Sequence, residues 1–255
     1  MSVASARTSR QPNVIRAEGI TKVFYPQHWG RTLFRVFTKS FTDSGDGRRA
    51  VVALDRIDME VSRGERIGII GDNGSGKTTL LKVVAGLYPH SGGRLDVNGA
   101  VILLRGLNIG MVDELTARDS VLLYGALYGL SGKAMKEKFD DIFEWAELQP
   151  YVDAKFGTLS SGMQGRLAFS ALRHFDADIF LLDEAFTAVD KRFRRKYEEV
   201  LQQQKGSDRT FLVATHDLSF ARTFCTKALW LHQGKQMAFG PTRKVLQQYS
   251  QFNGD

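Results

Sequence analysis

The chain has 255 residues, of which 43% are apolar and 25% are charged, a balance typical of one folded domain with a continuous core. Its single cysteine, Cys225, excludes an internal disulfide and a metal site built from several cysteines, and we interpret it as a small buried apolar residue. The formal net charge of +7 permits attraction to nucleic acid, anionic lipid or nucleotide but does not choose among them.

The chain begins with a Ser- and Arg-rich segment, residues 1–13, which no apolar stretch of a secretory signal follows, and we predict a disordered leader there. Residues 14–255 are predicted to form a single domain. The longest apolar stretch, residues 121–130, is interrupted by two glycines and falls short of the roughly 20 residues that cross a bilayer. The sequence therefore predicts a chain that does not span a membrane and that stays in the cytosol.

Residues 26–49 form an insertion between two predicted strands, residues 14–24 and 51–61. Four apolar residues recur in it at helical spacing, with basic residues among them: Leu33, Phe34, Phe37 and Phe41. We predict a short, basic amphipathic helix, suited to the lipid interface or to guarding a substrate entrance. An ordinary surface insertion packed on its own domain is the alternative.

A buried strand over residues 66–70 leads into a glycine-rich loop and then into an apolar helical pattern. The loop has the spacing G-x-x-x-x-G-K-T and consists of Gly71, Asp72, Asn73, Gly74, Ser75, Gly76, Lys77, Thr78 and Thr79. Its glycines allow backbone N–H groups to surround phosphate oxygens, and the helix N-terminus adds its dipole. We expect Lys77 to reach the β- and γ-phosphates, Thr78 to bind Mg²⁺ and Thr79 to bond the α-phosphate. The loop predicts binding of ATP or GTP.

Two further motifs follow along the chain. A Ser/Gly-rich segment leads into a helical pattern and offers a second phosphate-binding helix N-terminus; it comprises Leu159, Ser160, Ser161, Gly162 and Met163. A buried apolar run then ends in Asp183 and Glu184. On a parallel strand next to the strand of the loop, Asp183 would be a Mg²⁺ ligand, and Glu184 the general base that polarises the attacking water.

The order of these motifs resembles that of ABC ATPases. Residues 159–163 stand at the position of the family's Leu-Ser-Gly-Gly-Gln signature and depart from it at Ser161 and Met163. The resemblance implies an α/β fold, an ABC ATPase with a RecA-like P-loop core, an antiparallel β subdomain and an α-helical subdomain over about residues 116–173. It also implies that the signature of one copy closes on the nucleotide of another, so ATP, Mg²⁺ and a homodimer are expected.

The resemblance extends to the remaining motifs. Residues 185–190, which end in Asp190, resemble the D-loop, and His216 resembles the switch histidine that contacts the γ-phosphate. For adenine, the family uses an aromatic ring near the N-terminus. Phe24 stands at the expected place, Tyr25 is the alternative because adjacent strand residues point to opposite faces, and core packing is a third reading for either ring.

One family residue is missing, a glutamine that contacts Mg²⁺ and the membrane partner. Residues 107–116 contain none, Val112 stands at the aligned position, and Asn108 and Asp113 are candidate substitutes between which the sequence does not choose. In the helical subdomain, six residues are expected on the buried faces: Leu123, Met135, Phe139, Ile142, Phe143 and Ala146.

The signature and residues 115–120 and 183–189 resemble the ATPase subunits of capsule polysaccharide, O-antigen and teichoic acid exporters, which have a comparable inserted gate helix. This implies export of a polysaccharide or lipid-linked glycan through a separate integral membrane permease. The chain would be a peripheral protein at the cytoplasmic face of the inner or plasma membrane, within reach of its leaflet and without a nucleic acid partner. It ends soon after a helical pattern at residues 242–249, so no appended carbohydrate-recognition domain is expected.

Two alternatives remain beside this reading. One is an ABC ATPase of another transporter with a different substrate, and another is a soluble ABC ATPase such as an iron–sulfur assembly factor, whose length fits but for which the aromatic basic insertion is unusual. A DNA-repair ABC ATPase would need a long coiled coil, and no sustained heptads are present.

Overall fold

The computed structural model describes residues 13–25, 41–43, 49–105, 110–183 and 191–254. The described strands are β1 (Asn13–Phe24), β2 (Phe41–Asp43), β3 (Arg49–Ser62), β4 (Arg66–Ile70), β5 (Gly92–Val97), β6 (Val101–Arg105), β7 (Ile179–Asp183), β8 (Thr210–Ala214), β9 (Lys227–His232) and β10 (Lys235–Pro241). The helices are α1 (Lys77–Val84), α2 (Ala117–Leu127), α3 (Gly132–Lys136), α4 (Phe139–Ala146), α5 (Ser161–Leu172), α6 (Lys191–Gln203), α7 (Leu218–Phe224) and α8 (Thr242–Asn253). Short 3₁₀ turns cover Gln149–Tyr151 and Phe156–Thr158.

The strands form one mixed sheet in the order β5-β1-β3-β10-β9-β4-β8-β7-β6, with β2 paired to β3. Strands β9, β4, β8, β7 and β6 run parallel to one another, whereas β9 pairs antiparallel with β10 on its other side, and β1 pairs antiparallel with β3 and β5. Carboxyl ends of parallel strands meet at one edge of a sheet, where α/β folds bind ligands. The predicted α/β fold, with a parallel core and an antiparallel β region, is confirmed.

The parallel strands are apolar on both faces because helices cover both faces. In β7, Phe180 and Leu182 pack into a core with α2, α4, α5 and α6, while Ile179 and Leu181 pack into a second core with α1. Side chains along a strand alternate between faces, so a strand buried on both sides is apolar at nearly every position. This explains why β7 and β8 read as continuous apolar runs.

The sequence predicted that the strand of Asp183 lies next to the strand of the phosphate loop, and this prediction is wrong. β8 lies between β4 and β7 and pairs in parallel with both. The chain reaches β8 only after passing along β7 and α6, and strand order in a sheet is not determined by order in the sequence. Helix α1 nevertheless packs against both β7 and β8, which brings its first turn to the end of β7.

The helical region has the predicted core with one exception. Met135, Ile142, Phe143 and Ala146 are buried and Phe139 is partly buried, but Leu123 is 37% exposed. Helix α2 turns Val121, Tyr124 and Gly125 inward, at the spacing of one helical face, and Leu123 therefore lies outside this face. The side chain of Met135 packs so closely on Gly125 that an added Cβ would lie 2.3 Å from Met135 Cγ.

The N-terminal segments differ in part from the predictions. β1 already begins at Asn13, one residue before the predicted start of the domain, and the rest of the predicted leader lies outside the described residues. Phe41, predicted as part of the amphipathic helix, lies instead in β2, which pairs antiparallel with β3 through Val51. The long β3 offers that pairing edge. Residues 26–40 and 44–48, the rest of the insertion, are outside the described part of the chain.

No helix in the described ranges is long and apolar enough to cross a membrane.

Cys225 is buried at the end of α7, as predicted, and burial raises the pKa of its thiol to about 12. The thiolate is the reactive form, so at pH 8 we expect iodoacetamide to alkylate the folded chain about a thousandfold more slowly than the chain unfolded in guanidinium. Mass spectrometry of timed samples measures both rates. Similar rates in the two states would contradict the burial of this thiol.

Candidate nucleotide-binding site

The loop between β4 and α1 has a backbone that only glycine allows at two positions. Gly71 has φ 141° and Gly76 has φ 108°. A Cβ on Gly71 would lie 2.0 Å from the carbonyl oxygen of Leu231, and one on Gly76 would lie 2.7 Å from that of Ala53. The loop is thus pressed against β9 and β3, and it leads directly into the N-terminus of α1, an end of a helix that favours anions.

Two buried polar groups occupy this loop. Lys77 is 5% exposed, and its Nζ donates to the carbonyl oxygens of Gly71 and Asp72 at 2.7 and 2.9 Å. The hydroxyl of Ser75 is buried and has no hydrogen-bond partner within the described residues. A buried hydroxyl without a partner is unfavourable, and a phosphate oxygen in the loop would supply an acceptor. The loop therefore has the groups that a polyphosphate needs.

The structure brings Thr78 and Asp183 together although 105 residues separate them in the sequence. Thr78 Oγ1 donates to Asp183 Oδ1 at 3.0 Å, and Asp183 is only 5% exposed. A hydroxyl and a carboxylate at this separation fit Mg²⁺, which binds through one or two carboxylates together with the phosphates of a substrate. Among the described residues there is no group of three or more His, Cys, Asp or Glu side chains that could hold a metal ion.

His216 follows β8 at the same edge of the sheet. Ile69 and Ala214 are paired in register, and the N–H of Thr215 donates to the carbonyl oxygen of Ile69 at 3.2 Å, so β8 ends beside the start of the loop. A cleft of about 460 Å³ lies there, lined by Gly71, Asp72, Asn73, Thr215, His216, Leu218, Tyr249 and Asn253. The structure thus places the predicted histidine at the phosphate loop.

The cleft includes two residues of α8, Tyr249 and Asn253, which the sequence did not indicate. The hydroxyl of Tyr249 donates to Asp72 Oδ1 at 3.3 Å. From outside the cleft, Nδ1 of His232, at the end of β9, lies 3.7 Å from Asp72 Oδ2. Helical spacing places Tyr249 on a helix, but no local signal connects it to a loop 177 residues earlier. The C-terminal helix therefore forms one wall of the site.

The Ser/Gly-rich segment caps α5, as predicted. The Oγ of Ser160 accepts a hydrogen bond from the N–H of Met163 at 3.3 Å. Leu159 is buried, whereas Ser160 and Ser161 are exposed. No residue of this segment lines the cleft at the phosphate loop, so a single chain leaves this helix N-terminus outside its own site.

The segment that lacks the glutamine runs beside the chain that leads into α5. The N–H of Gly157 donates to the carbonyl oxygen of Asp113 at 3.0 Å, and the N–H of Phe156 donates to that of Leu115 at 2.8 Å. The carbonyl oxygen of Val112 accepts from the hydroxyl of Ser120 at 3.1 Å. Asn108, the other candidate substitute beside Asp113, lies outside the described residues.

The structure describes some of the remaining predicted site residues but not all of them. Thr79 lies in the first turn of α1, and Asn73 and Gly74 are exposed at the tip of the loop. Phe24 ends β1 and is partly buried against Tyr88, with the ring centroids 5.5 Å apart, while Tyr25 is 58% exposed. Glu184 and Asp190 lie outside the described residues.

Comparison with known proteins gives consistent matches. The ABC transporter family model matches residues 54–187. A teichoic acids export ATP-binding protein, TagH, from Lactococcus lactis is 34% identical over 200 residues, or 78% of this chain and 43% of the relative. An O-antigen export system ATP-binding protein, RfbB, from Myxococcus xanthus is 33% identical over 199 residues, or 78% of this chain and 46% of the relative. The chain spans about half the length of these relatives.

Solved structures support the fold. The chain superposes with a TM-score of 0.70 and 21% identity on the dimeric, post-hydrolysis structure of an ATP-binding cassette bound to ADP and Pi, covering 90% of this chain and 99% of the other. A structure described as the ATP binding subunit of an ABC transporter gives a TM-score of 0.71 at 20% identity and covers 93% of each chain. At these identities the likeness establishes the fold alone.

Proposed function

The chain belongs to the ABC transporter family, and from this premise we propose that it is the ATP-binding and ATP-hydrolysing subunit of an exporter. In this proposal it powers the translocation of a polysaccharide or lipid-linked glycan across the cytoplasmic membrane through a separate membrane permease. It acts as a peripheral protein at the cytoplasmic face.

The observation that carries the ATPase proposal is the contact between Thr78 and Asp183 at 3.0 Å, because it joins the phosphate loop to a buried carboxylate on another strand. In the proposed site, Lys77 exchanges its bonds to loop carbonyls for bonds to the β- and γ-phosphates. Thr78 and Asp183 would hold Mg²⁺, which would supply positive charge beside the phosphates.

Hydrolysis in this site needs an activated water. We assign Glu184 as the general base. It accepts a proton from the water molecule as the water oxygen attacks the γ-phosphorus. The bond between the γ-phosphorus and the β-phosphate oxygen breaks, and ADP leaves with that electron pair. His216, which lies at the phosphate loop, contacts the γ-phosphate in this proposal. Phe24 stacks on the adenine ring. Asp190 belongs to the interface between two copies.

A homodimer would complete the site. The exposed Ser160 and Ser161 lie at a helix N-terminus that does not line the cleft of their own chain. Such a terminus binds anions, so a second copy could present it to the γ-phosphate. The dimeric solved structure with the same fold is consistent with this arrangement.

The export part of the proposal rests on the relatives, whose names give teichoic acids and O-antigen as the exported material. The share of this chain that matches is 78% in each case. The nature of the glycan, capsule, lipopolysaccharide or teichoic acid, is expected to be set by the permease.

The test is to purify the tagged chain from its own host in mild detergent and to identify what accompanies it. Recovery of an integral membrane protein together with a lipid-linked glycan is the expected result. Recovery of a stable soluble partner without a membrane protein would overturn the export proposal and favour a soluble ATPase, such as one that assists iron–sulfur cluster assembly.

A further inference from the structure

A cluster of two aromatic rings and two lysines lies between the end of β1 and the end of α1. The Phe24 cluster consists of Lys22, Phe24, Lys82 and Tyr88. The rings of Phe24 and Tyr88 meet edge to face, with centroids 5.5 Å apart and planes at 79°. Lys22 Nζ lies 4.8 Å from the centroid of Phe24, and Lys82 Nζ lies 4.8 Å from that of Tyr88. The two rings are therefore each in contact with a cation.

Lys22 is unusual because its charge is nearly buried. It is 9% exposed, and its Nζ donates to the carbonyl oxygen of Pro89 at 2.7 Å. Lysine is rarely buried without partners, and here one carbonyl and one aromatic ring replace the lost water. The ammonium is thus fixed over the Phe24 ring by a backbone group rather than by a mobile contact.

The segment that carries Tyr88 is hydrogen-bonded to β1 through both the side chain and the backbone of Ser91. The N–H of Val23 donates to the hydroxyl oxygen of Ser91 at 3.0 Å, and the N–H of Ser91 donates to the carbonyl oxygen of Thr21 at 2.7 Å. Lys82 Nζ donates to the hydroxyl oxygen of Tyr88 at 3.2 Å. The position of Phe24 is therefore connected to α1, the helix that begins with Lys77.

The distance along α1 suits a nucleotide. Lys82 lies five residues after Lys77, or about 7.5 Å along the helix axis at 1.5 Å per residue. Phosphates at the N-terminus of α1 and a base near Phe24 would then lie at opposite ends of one ligand.

We propose that Tyr88 and Lys22 are positioning residues that hold the Phe24 ring for stacking on the nucleobase, an inference that rests on the proposed nucleotide-binding function. The edge-to-face contact with Tyr88 fixes the orientation of the ring. The Lys22 ammonium attracts π-electron density toward itself, so the part of the Phe24 ring left to the ligand stacks better on an electron-rich base. The contact with Phe24 is made by the Tyr88 ring, whereas the Tyr88 hydroxyl accepts a hydrogen bond from Lys82.

The proposed role of the Phe24 ring predicts which part of the ligand binds more weakly when the ring is displaced. A stacking ring contributes to the affinity for the nucleoside and not to that for the phosphates, which bind at the N-terminus of α1. ADP and inorganic pyrophosphate share two phosphates and differ by the nucleoside, and neither is consumed by an ATPase. Their two dissociation constants, measured by calorimetry on the full chain with Mg²⁺, separate the contributions.

For Tyr88→Leu we expect ADP to bind about threefold to tenfold more weakly, the range given by one aromatic contact, and pyrophosphate to bind as in the wild type. Tyr88→Phe keeps the ring and should retain the affinity for ADP. An unchanged affinity for ADP in Tyr88→Leu, or an equal loss for ADP and pyrophosphate, would overturn the proposal.

Lys22→Met removes the charge and keeps the length of the side chain, and it serves if Tyr88→Leu does not fold. We expect ADP binding about twofold to fivefold weaker, with pyrophosphate unchanged, and recovery of ADP affinity in Lys22→Arg. A failure of Lys22→Arg to recover affinity would contradict the role of the cation. If the wild-type chain binds pyrophosphate but not ADP, the inference fails; if it binds neither, the proposed nucleotide function fails with it.

Discussion

Substitution Glu184→Gln should lower the rate of ATP hydrolysis by about 10²-fold to 10⁴-fold, the usual contribution of a general base. Glutamine has nearly the shape of glutamate but cannot accept the proton of the attacking water. ATP binding does not require this proton transfer, so the variant should bind ATP and accumulate as an ATP-bound dimer. Phosphate release measures the first effect, and size-exclusion chromatography with light scattering, with ATP and with ADP, measures the second.

A matched control is Glu199→Gln, since Glu199 is an exposed residue of α6. It removes the same charge and should hydrolyse ATP at the wild-type rate. Hydrolysis by Glu184→Gln at the wild-type rate would contradict the assignment of Glu184 as the general base. Loss of hydrolysis without an ATP-dependent dimer would leave the assignment of the base intact but contradict the proposed closure of two copies on ATP.

Substitution Asp183→Asn should lower the rate of ATP hydrolysis by about 10²-fold or more, because a metal ion contributes several kcal/mol of charge stabilisation and each 1.36 kcal/mol is a factor of ten. Asparagine retains an oxygen that can accept the bond from Thr78, now 3.0 Å from Asp183, so the fold should persist. The concentration of Mg²⁺ that gives half-maximal activity should rise. A titration of activity with Mg²⁺ measures both effects.

The control for this variant is Asp178→Asn, just before the opposite end of β7. Asp178 accepts a hydrogen bond from the N–H of Ala100 at 2.9 Å and pairs with Arg63 at 3.0 Å. These two partners, the backbone N–H first, hold the pKa of its carboxyl below the usual range. Asp178→Asn should hydrolyse ATP normally, and an unchanged Mg²⁺ requirement in Asp183→Asn would contradict the metal-ligand assignment.

The pH dependence of the control follows from the direction of this pKa shift. A carboxyl whose pKa is lowered in the folded state stabilises the fold above its unfolded pKa, and this contribution disappears as the pH falls through the folded pKa. The difference in unfolding free energy between the wild type and Asp178→Asn should therefore be present at neutral pH and shrink in acid. Chemical unfolding at several pH values measures it.

Local patterns in the sequence were enough to predict the glycine-rich loop and the elements around it. Gly71, Gly76 and Lys77 occur at a spacing whose backbone requirements are nearly independent of the rest of the chain, and positive φ angles at both glycines agree with this. The apolar runs that became β7 and β8 and the cap at Ser160 are likewise set by neighbours within a few residues. Such features can be predicted because their physical causes are local.

Contacts between distant parts of the chain could not be predicted in this way. The sequence did not reveal that β8 separates β4 from β7, that Tyr249 reaches Asp72, or that Lys22 and Tyr88 contact the ring of Phe24. Leu123 was assigned to the wrong face because the packing of Gly125 on Met135, not the local apolar pattern, sets the rotation of α2. The sequence by itself determined which residues are candidates for binding phosphate. The tertiary structure decided which of these candidates lie together, since strand order and helix rotation depend on packing over the whole fold.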